Sequence, residues 1–516
     1  VSAPVMPIKR TRITKHDFFQ TFPSELPPVA CTFEGDSSSV NDESVRNQVV
    51  STVLSMRHVL CLGLPGTGKT HLVRRVVDHI SEHNTQVRVP DRIKTIFIGP
   101  TWQSAKNLSP EGCVIYGSLR VSPEDMRHDS VVIRKCLKML DGDGISAVHW
   151  ILSPLLMIVV DEIAMFTSDL TKYLDIVKTI RMHKHVGGRV WLFGLGDPNQ
   201  LLPIDGERCI LADRRFATST QMYILRTIHR QAANDPLRAC FTAAVHGKLH
   251  DNVNRIMRVC SPSQMSESDQ QLSVICVTRA QRDAFNKKRS EHFRRVNIES
   301  AERTGDYSNR DIAYMYKRHK YKSVGMMLNG THINDANKYS CTGLFNKYKI
   351  SLTVELCKGD RVAYTINNYS RSPNYFNNME GTIIAITDDT VTVLDDLSGG
   401  HVYMQYKPYT FGWGRYQSKI KMMPLRLAYA HTLHAAQGMT LRGRCLFILD
   451  GLARQPDSFK SNFFATLCSR PSSSDGIYVS TKVEPSMIVH CKKAATFLSQ
   501  VSRTYFMNIC RHKEKL

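Results

Sequence analysis

Residues 63–70 read Gly63-Leu64-Pro65-Gly66-Thr67-Gly68-Lys69-Thr70 and match the pattern G-x-x-x-x-G-K-[ST]. The apolar run Val59–Leu62 precedes this stretch and predicts a strand, and His71–Ile80 follow it with helical spacing. Glycines let the backbone N–H groups of such a loop turn inward around phosphate oxygens, and the new helix adds its positive end. Lys69 would then reach the terminal phosphates of ATP, and Thr70 would offer a hydroxyl to Mg²⁺. The stretch therefore predicts a nucleotide-binding α/β domain.

Other apolar runs extend this pattern along the chain. In the first half, runs that resemble strands alternate with helical patterns at Thr95–Ile98, Leu155–Val160 and Val190–Phe193. A second α/β region has comparable runs at Leu272–Val277, Leu425–Ala430 and Cys445–Leu449. Between them, short strands separated by turn residues are predicted at Arg361–Ile366, Gly381–Thr387 and Thr390–Asp395. We therefore predict two α/β domains with parallel sheets and a small all-β insertion in the second.

Carboxylates follow the apolar run Leu155–Val160, where a buried strand would reach the edge of its sheet. Asp161 is assigned as the ligand of Mg²⁺, acting through water, and Glu162 as the general base for the attacking water. An acidic pair that caps a helix is the alternative, and the phosphate loop makes it the weaker one. Gln200 follows another such strand and could hydrogen-bond both the terminal phosphate and the attacking water; an ordinary turn is the alternative there.

Composition limits the class of protein. The chain has 516 residues, which suggests two to four domains, and its net charge of +22 favours a polyanionic partner. Charge alone does not distinguish nucleic acid from an anionic membrane surface. No run of apolar residues is long enough to span a membrane, and no secretory signal is seen, so no membrane partner is expected. The 14 cysteines form no C-x-x-C pair, which argues against zinc.

Several further motifs occur in a fixed order. They are Asp161-Glu162-Ile163-Ala164-Met165, Gly187-Gly188, Arg230-Gln231, Lys358-Gly359-Asp360-Arg361-Val362, Asn377-Asn378-Met379-Glu380-Gly381-Thr382, and the block Pro424–Leu441, which contains Thr432-Leu433-His434-Ala435-Ala436-Gln437-Gly438. Together with the phosphate loop, they resemble the motifs of superfamily 1 helicases, of the RecD-like branch, and within it of the PIF family of DNA helicases. The resemblance covers roughly residues 45–485.

The resemblance implies a fold and a set of roles. The fold would be two RecA-like domains with parallel sheets and a small all-β barrel in the second. Gln48 would read adenine, Arg230 and Arg470 would be arginine fingers, and Gln437 with Gly438 would close on the terminal phosphate. The backbone of a single strand would be held by Thr101, Thr432 and His434. We expect Trp102, next to Thr101, to stack on a base.

The resemblance also implies an activity and partners. The activity would be ATP-dependent translocation on single-stranded DNA, five-prime to three-prime, with unwinding of duplex in replication, repair or recombination. Partners would be single-stranded and forked DNA, with replication proteins possible, in the nucleus or another DNA compartment such as a mitochondrion or a viral replication site. Departures, such as Ala465–Cys468 before Ser469-Arg470 and Trp102 after Thr101, suggest a divergent member, of viral or mobile-element origin.

Domain limits and a nucleic-acid surface are predicted as well. The expected parts are a tail (1–40), a first domain (41–235) with a wedge over 119–150, a second domain (236–310 and 415–516), and the β insertion (311–414). Basic residues are interleaved with aromatic ones around Tyr314–Lys322 and Tyr403–Lys421, as single-strand binding requires, although a barrel core would take about half of such rings.

Four alternative functions are considered at this point. One is an RNA helicase of a viral replication complex, although those are usually more compact between the phosphate loop and the last arginine motif. Another is a P-loop ATPase that is stimulated by DNA but does not unwind it. An ATPase of another class is a further alternative, but it would leave the block Pro424–Leu441 unexplained. A nucleic-acid-binding protein with an inactive motor is disfavoured because the expected catalytic residues are present.

Overall fold

The computed structural model describes residues 42–121, 125–142, 147–197, 199–201, 209–212, 216, 220–225, 227–232, 234–263, 272–304, 317–320, 322–328, 331–332, 353–368, 375–387, 389–411, 418–460 and 462–489. The predicted tail over residues 1–40 lies outside these ranges. So do Tyr314, Tyr316 and Tyr321 of the first basic and aromatic cluster, and Trp413, Arg415 and Tyr416 of the second.

The chain alternates strands and helices in its first half, is mainly β in its centre, and returns to a mixed pattern. The strands are β1 (Val59–Gly63), β2 (Ile93–Ile98), β3 (Leu155–Val160), β4 (Arg189–Gly196), β5 (Gln221–Leu225), β6 (Arg258–Val259), β7 (Ser273–Cys276), β8 (Lys317–Lys320), β9 (Lys322–Leu328), β10 (Thr331–His332), β11 (Thr353–Leu356), β12 (Arg361–Tyr364), β13 (Glu380–Ile386), β14 (Thr390–Asp395), β15 (His401–Gln405), β16 (Lys407–Phe411), β17 (Ser418–Met422), β18 (Leu425–Leu427), β19 (Ala430–Thr432), β20 (Cys445–Ile448) and β21 (Ile477–Val479).

Helices surround these strands. The α-helices are α1 (Asp42–Leu54), α2 (Lys69–Gln86), α3 (Trp102–Leu108), α4 (Ile115–Ser118), α5 (Asp129–Leu140), α6 (Ser168–His183), α7 (Pro236–Val245), α8 (Val253–Ile256), α9 (Arg279–Thr304), α10 (Asp457–Lys460) and α11 (Phe463–Cys468). Short 3₁₀ helices cover Val89–Asp91, Asp125–Arg127, His149–Leu152, Ile163–Met165, Ile210–Ala212, Leu452–Arg454 and Pro485–Met487. Among the described residues, no helix combines the length and the apolar character that crossing a bilayer requires.

The first domain is a parallel sheet with the order β2-β3-β4-β1-β5. Alternate residues of its strands enter two separate apolar layers, Leu60 and Ile158 in one and Val59 and Val159 in the other. A parallel sheet covered on both faces needs such continuous apolar strands, which explains why β3 is apolar throughout. Because β4 lies between β3 and β1, the chain segments that leave all three strands meet at one edge of the sheet.

The second domain has its own parallel sheet, in the order β19-β7-β20-β21-β6. Its core also contains Leu201, and Leu64 of the phosphate loop packs against the same core. The two α/β domains are therefore joined by apolar packing beside the phosphate loop. Helices α7 and α11 pack together within this core.

The predicted β insertion is a set of antiparallel sheets. One has the order β15-β14-β13-β12-β18, another the order β10-β9-β17-β16, and β11 pairs with β8. In β15 the side chains alternate strictly between exposed and buried, so Val402 and Met404 enter the core and Tyr403 stays outside, 64% exposed. The fold class predicted from the sequence is confirmed.

One predicted strand is corrected. The run Leu425–Ala430 was expected to lie in the second parallel sheet, but it divides. Its first part, β18, pairs antiparallel with β12, while β19 begins at Ala430 and pairs in parallel with β7. Leu425 is buried in the core of the insertion, whereas Ala430 is buried in a core of the second domain. The apolar run therefore contributes to two different cores. The antiparallel strands accordingly extend to Leu427, past the predicted limit of the insertion at residue 414.

The segment predicted as a wedge, residues 119–150, contains α5. Two side chains of this helix, Val132 and Cys136, are fully buried in the core of the first domain together with Leu170 of α6. The described part of the segment is thus a layer of that domain. A role in splitting duplex remains a prediction.

Candidate active site

The phosphate loop has the backbone that its glycines predict. Gly66 and Gly68 have φ angles of 78° and 85°, in the left-handed region that glycine adopts without strain. A Cβ atom added to Gly66 would lie 2.5 Å from the Cβ of Arg230. The ammonium of Lys69 donates hydrogen bonds to the carbonyls of Gly63 (2.7 Å) and Leu64 (3.0 Å). The lysine is therefore held at the loop, where phosphate oxygens can replace its carbonyl partners.

The two acidic residues after β3 face this loop. Asp161 and Glu162 are 9% and 7% exposed, and the backbone N–H of Asp161 donates to the carbonyl of Ile98 (2.9 Å). Glu162 has φ 48° and ψ 44°, a left-handed conformation that a glutamate adopts rarely and at a cost. Burial, with the neighbouring Glu162 carboxylate, raises the pKa of Asp161 to about 7. A nearby divalent cation would oppose this effect, since it favours the charged carboxylate.

Gln200 connects the two domains. Its Nε2 donates to a carboxylate oxygen of Asp197 (3.3 Å), and its Oε1 accepts from Nη2 of Arg470 (2.5 Å). Its backbone carbonyl accepts from Nδ2 of Asn462 (2.9 Å), so a second residue of the second domain holds the same turn. Burial raises the pKa of Asp197 and lowers that of Arg470.

The two predicted arginine fingers lie close together. Arg230 donates from Nη1 to the carbonyl of Ser469 (2.9 Å), directly before Arg470. Gln231 donates from Nε2 to the carbonyls of Cys468 (3.2 Å) and Pro471 (3.1 Å), so it fixes the same loop. Burial, with repulsion from Arg470, lowers the pKa of Arg230 to about 10. Two guanidinium groups held this close favour an anion between them.

A cleft of 1040 Å³ contains both sides of this site. Its volume is at the upper end for ligand sites, so it can hold a nucleotide. The predicted site residues that line it are Pro65, Gly66, Gly68, Lys69, Thr70, Asp161, Glu162, Gln200, Arg230, Gly438 and Arg470. Gly63 and Thr67 lie in the loop behind this surface, where Thr67 donates from Oγ1 to the carbonyl of Leu64 (2.9 Å).

Gln437 is buried next to the cleft. It is 1% exposed, and neither atom of its amide has a hydrogen-bond partner in the described part of the chain. A buried amide without a partner is costly, and a ligand that supplied one would recover that cost. The backbone of Gly438, the next residue, lines the cleft, and its carbonyl accepts from Nδ2 of Asn107 in α3 (3.1 Å).

Gln48, the residue predicted to read adenine, does not line the cleft, whereas Arg46 contacts the phosphate loop. Gln48 lies half-buried in α1, and its side chain is not among those lining the cleft. Nη2 of Arg46, by contrast, lies 3.4 Å from the carbonyl of Thr67 and 2.8 Å from Nε2 of His229. The role of Gln48 stays a prediction. Sequence reasoning missed Arg46, because residues two apart on a helix point in different directions and Gln48 therefore gave no signal for it.

The residues predicted to contact single-stranded DNA lie at the start of α3 and at the end of β19. Thr101 caps α3, since its Oγ1 accepts from the N–H of Ser104 (3.1 Å). Thr432 ends β19, and His434 follows in a half-buried turn, its ring 6.0 Å from that of Phe459. Burial lowers the pKa of His434, with a contribution from Arg279. Their contacts with nucleic acid remain predictions.

The prediction for Trp102 is corrected. The ring was expected to stack on a base, but it is only 4% exposed and stacks on Phe376 of the insertion, with centroids 3.8 Å apart. Its ring joins the core that contains Leu425 and Val362. A large apolar ring next to a β domain gains more from this packing than from exposure to solvent. Trp102 therefore fastens the first domain to the insertion.

Residues suited to Mg²⁺ can be identified from their donor atoms. Among the described residues, no group of three His, Cys, Asp or Glu side chains is arranged to hold a metal ion. A Mg²⁺ site next to phosphates needs fewer protein ligands, because phosphate oxygens and water complete its shell. The Thr70 hydroxyl and the Asp161 carboxylate both line the cleft and are hard oxygen donors, so they fit this ion.

Comparison with known proteins agrees with this architecture. An AAA domain family matches residues 45–258, and no curated protein sequence matches the chain significantly. The Pif1 helicase from Candida albicans has a TM-score of 0.62 and 17% identity, over 91% of this chain and 100% of that chain. A structure of Pif1 helicases described for DNA unwinding at forked duplex has a TM-score of 0.59 and 17% identity, over 90% and 97% of the two chains.

A third similar structure contains single-stranded DNA. Bacteroides Pif1 bound to single-stranded DNA has a TM-score of 0.58 and 16% identity, over 91% of this chain and 98% of that chain. The match thus extends over nearly the full length of each protein, including both α/β domains. The resemblance predicted from the motifs is confirmed: residues 45–258 match the AAA domain family, and the chain has the fold of the Pif1 helicases.

Proposed function

We propose that this chain is an ATP-driven DNA helicase that moves along single-stranded DNA and separates duplex. One observation carries the proposal. The hydrogen bond between Gln200 and Arg470 joins the two α/β domains inside the cleft that also contains Lys69 and Glu162. A nucleotide in that cleft would contact both domains at once, so its binding and hydrolysis can change how they are arranged.

The residues of the cleft divide the chemistry between them. Lys69 binds the terminal phosphates, and Glu162 takes the proton of the attacking water, which Gln200 orients. Arg230 and Arg470 stabilise the charge that develops on the transferred phosphoryl group. Thr70 and Asp161 would hold Mg²⁺, which when bound neutralises phosphate charge. Gln437, whose buried amide has no hydrogen-bond partner among the described residues, is suited to sense the terminal phosphate.

The substrate is proposed from charge and from the relatives. The net charge of +22 suits a polyanion. Solved structures with the same fold include a Pif1 bound to single-stranded DNA and Pif1 helicases at forked duplex. We extend these substrates to this chain, together with the five-prime to three-prime direction that the motif resemblance implies. Replication proteins and a DNA-containing compartment are proposed on the same basis.

The test measures hydrolysis and unwinding in the same preparation. ATP turnover is compared alone, with an oligodeoxythymidylate and with an oligouridylate, and unwinding is followed on forked duplexes with either a five-prime or a three-prime tail. We expect DNA to stimulate turnover and a five-prime tail to be required. Stimulation by RNA only would overturn the DNA assignment, and hydrolysis without unwinding would leave a DNA-stimulated ATPase.

A variant pair controls for folding. Lys69→Ala should abolish hydrolysis while single-strand binding survives, because the hydrogen bonds of the lysine to described residues go to the carbonyls of its own loop. Lys248→Ala removes an exposed lysine of the second domain and should leave both properties unchanged. Loss of strand binding in Lys69→Ala alone would contradict the assignment of separate sites.

A further inference from the structure

A second cavity lies beside the first domain, apart from the nucleotide cleft. Its volume is 630 Å³, and it shares no lining residue with that cleft. Strand β2 lies at the edge of its sheet and forms one wall through residues 94–97. The turn at Pro110–Cys113, the helix α4 and the 3₁₀ helix His149–Leu152 form others. Phe376 of the insertion closes one side.

Aromatic rings make up much of the cavity wall. Trp102 and Phe376 lie nearly parallel, at an interplanar angle of 13°, and both border the cavity. A second indole, Trp150, is half-buried on another wall, and its Nε1 donates to the carbonyl of Ser118 (3.4 Å). The stacked pair is fixed by packing, whereas Trp150 keeps part of its surface in solvent. A planar aromatic ligand would find a ready surface here.

Positive charge predominates at the same cavity. Lys94, Lys106 and Arg120 line it, and Glu111 is the acidic residue among the lining side chains. Lys94 is 3.9 Å from Glu111, and Lys106 lies 4.8 Å from the centre of the Phe376 ring. Burial lowers the pKa of Lys106, with repulsion from Arg120 as a smaller cause. An anion bound here would reduce this repulsion.

The backbone of Arg120 is also unusual. Its φ of 56° lies in the left-handed region, and the side chain is exposed at the cavity. Non-glycine residues adopt this conformation rarely, and such strain is often retained where a side chain is aimed at a ligand. This position gives a variant that keeps the backbone, because asparagine tolerates the same conformation.

We propose that this cavity binds one nucleotide unit of single-stranded DNA, with the base against Trp150 and the phosphate near Lys94 and Arg120. Rings and cations together are the chemistry that binds a nucleotide of a strand. The assignment rests on the proposed function, because the strand would be the one on which the protein moves.

Helix α3 connects this cavity to the nucleotide cleft. Trp102 and Lys106, one helical turn apart, border the cavity, while Gln103 and Asn107 border the cleft. Asn107 also bonds the carbonyl of Gly438, which belongs to the second domain. A nucleotide unit in the cavity is thus separated from the ATP site by a single helix, so its presence can bias closure of the cleft.

The test combines binding with mapping. Affinity for a fluorescent oligodeoxythymidylate is measured by anisotropy at several salt concentrations for the double variant Lys94→Gln/Arg120→Asn. We expect about a tenfold weaker affinity and a salt slope smaller by about 1.4, since each phosphate contact to a single strand contributes about 0.7. The matched control is Arg92→Gln, which removes an exposed cation close in sequence but outside the cavity.

The base is tested separately. Trp150→Ala should weaken binding at least fivefold, as the loss of a stacked base predicts, and Trp150→Phe should restore most of it. An oligonucleotide carrying 5-bromodeoxyuridine should cross-link on irradiation to the peptide that contains Trp150 or Phe376, and excess thymidine monophosphate should not displace it. Displacement by the mononucleotide at unchanged strand affinity would overturn the assignment of a strand.

The outcomes separate the two proposals. If the unaltered protein binds the strand but the double variant behaves as Arg92→Gln does and no cross-link maps to the cavity, the inference is wrong and the helicase proposal stands. If the unaltered protein binds no single strand, both are wrong.

Discussion

Replacing Arg470 by alanine should lower ATP turnover by about three to five orders of magnitude, the usual effect of an arginine finger. At about 1.4 kcal/mol per tenfold change in rate, this corresponds to roughly 4–7 kcal/mol of lost transition-state stabilisation. The structure gives the reason: Arg470 is 2% exposed, lines the cleft and bonds Oε1 of Gln200 at 2.5 Å. Its charge is therefore held beside the residue that orients the attacking water.

Stability should change in the same variant, and by a calculable amount. Removing the guanidinium leaves the Oε1 atom of Gln200 buried without its partner, at a cost of about 1–3 kcal/mol. Arg470→Lys keeps the positive charge but cannot reproduce the planar group that also reaches the Ser469 hydroxyl (3.0 Å). We expect Arg470→Lys to fold better than Arg470→Ala and to recover only part of the turnover.

The assay measures kcat and KM for ATP with saturating single-stranded DNA, and unfolding by denaturant, for Arg470→Ala, Arg470→Lys, Arg230→Ala and the double alanine variant. Because the two arginines lie within one group, the loss in the double variant should be much smaller than the product of the single losses. Unchanged kcat with a raised KM in Arg470→Ala would refute the reasoning, since it would mean that the residue only binds the nucleotide.

Three further predictions follow from individual contacts. Gly66→Ala should abolish nucleotide binding, measured with a fluorescent ATP analogue, because φ is 78° and the new Cβ would meet that of Arg230 at 2.5 Å; normal affinity would contradict this. Trp102→Ala should cost about 3–5 kcal/mol of unfolding free energy through the lost packing on Phe376, measured by urea denaturation, whereas Trp102→Phe should cost much less. Asp161→Asn should stop hydrolysis yet stabilise the metal-free protein by up to roughly 4 kcal/mol at pH 8. Burial raises the pKa of Asp161 in the folded protein from its ordinary value of 3.8 to about 7, so the wild-type protein loses stability as pH rises through this window. Thermal unfolding in a chelator at pH 5 and 8 checks it, and a difference that did not shrink toward pH 5 would contradict it.

Local features of the sequence were the ones that could be predicted well. Strand β3 has the predicted bounds Leu155–Val160, because a strand buried on both faces must be apolar throughout. The phosphate loop could be predicted because Gly66 and Gly68 supply the left-handed backbone that its turn requires. The run Leu425–Ala430 could not be divided from sequence, because both of its halves are apolar and only the two sheets that receive them differ.

Long-range contacts could not be read from the sequence. The bond between Asn107 and Gly438 joins residues 331 positions apart, and that between Gln200 and Arg470 joins residues 270 apart. Motif resemblance supplied Arg470 and Gly438, but it gave no reason to select Asn107. The fate of Trp102 was equally hidden, because an indole beside a strand-contact motif suits base stacking and core packing alike. Only the position of Phe376 decides between them.

The contacts across the cleft also constrain how the motor would work. Arg230 to Ser469, Arg470 to Gln200 and Asn107 to Gly438 each tie the first domain to the second. A typical hydrogen bond contributes about 1 kcal/mol net and one to a charged group about 1.5–3 kcal/mol, so the three bonds together oppose opening by several kcal/mol. Two of them end on or beside residues that a terminal phosphate would contact. Loss of that phosphate therefore removes attraction at the same atoms that hold the domains together, and release of the product should be the step at which the cleft opens.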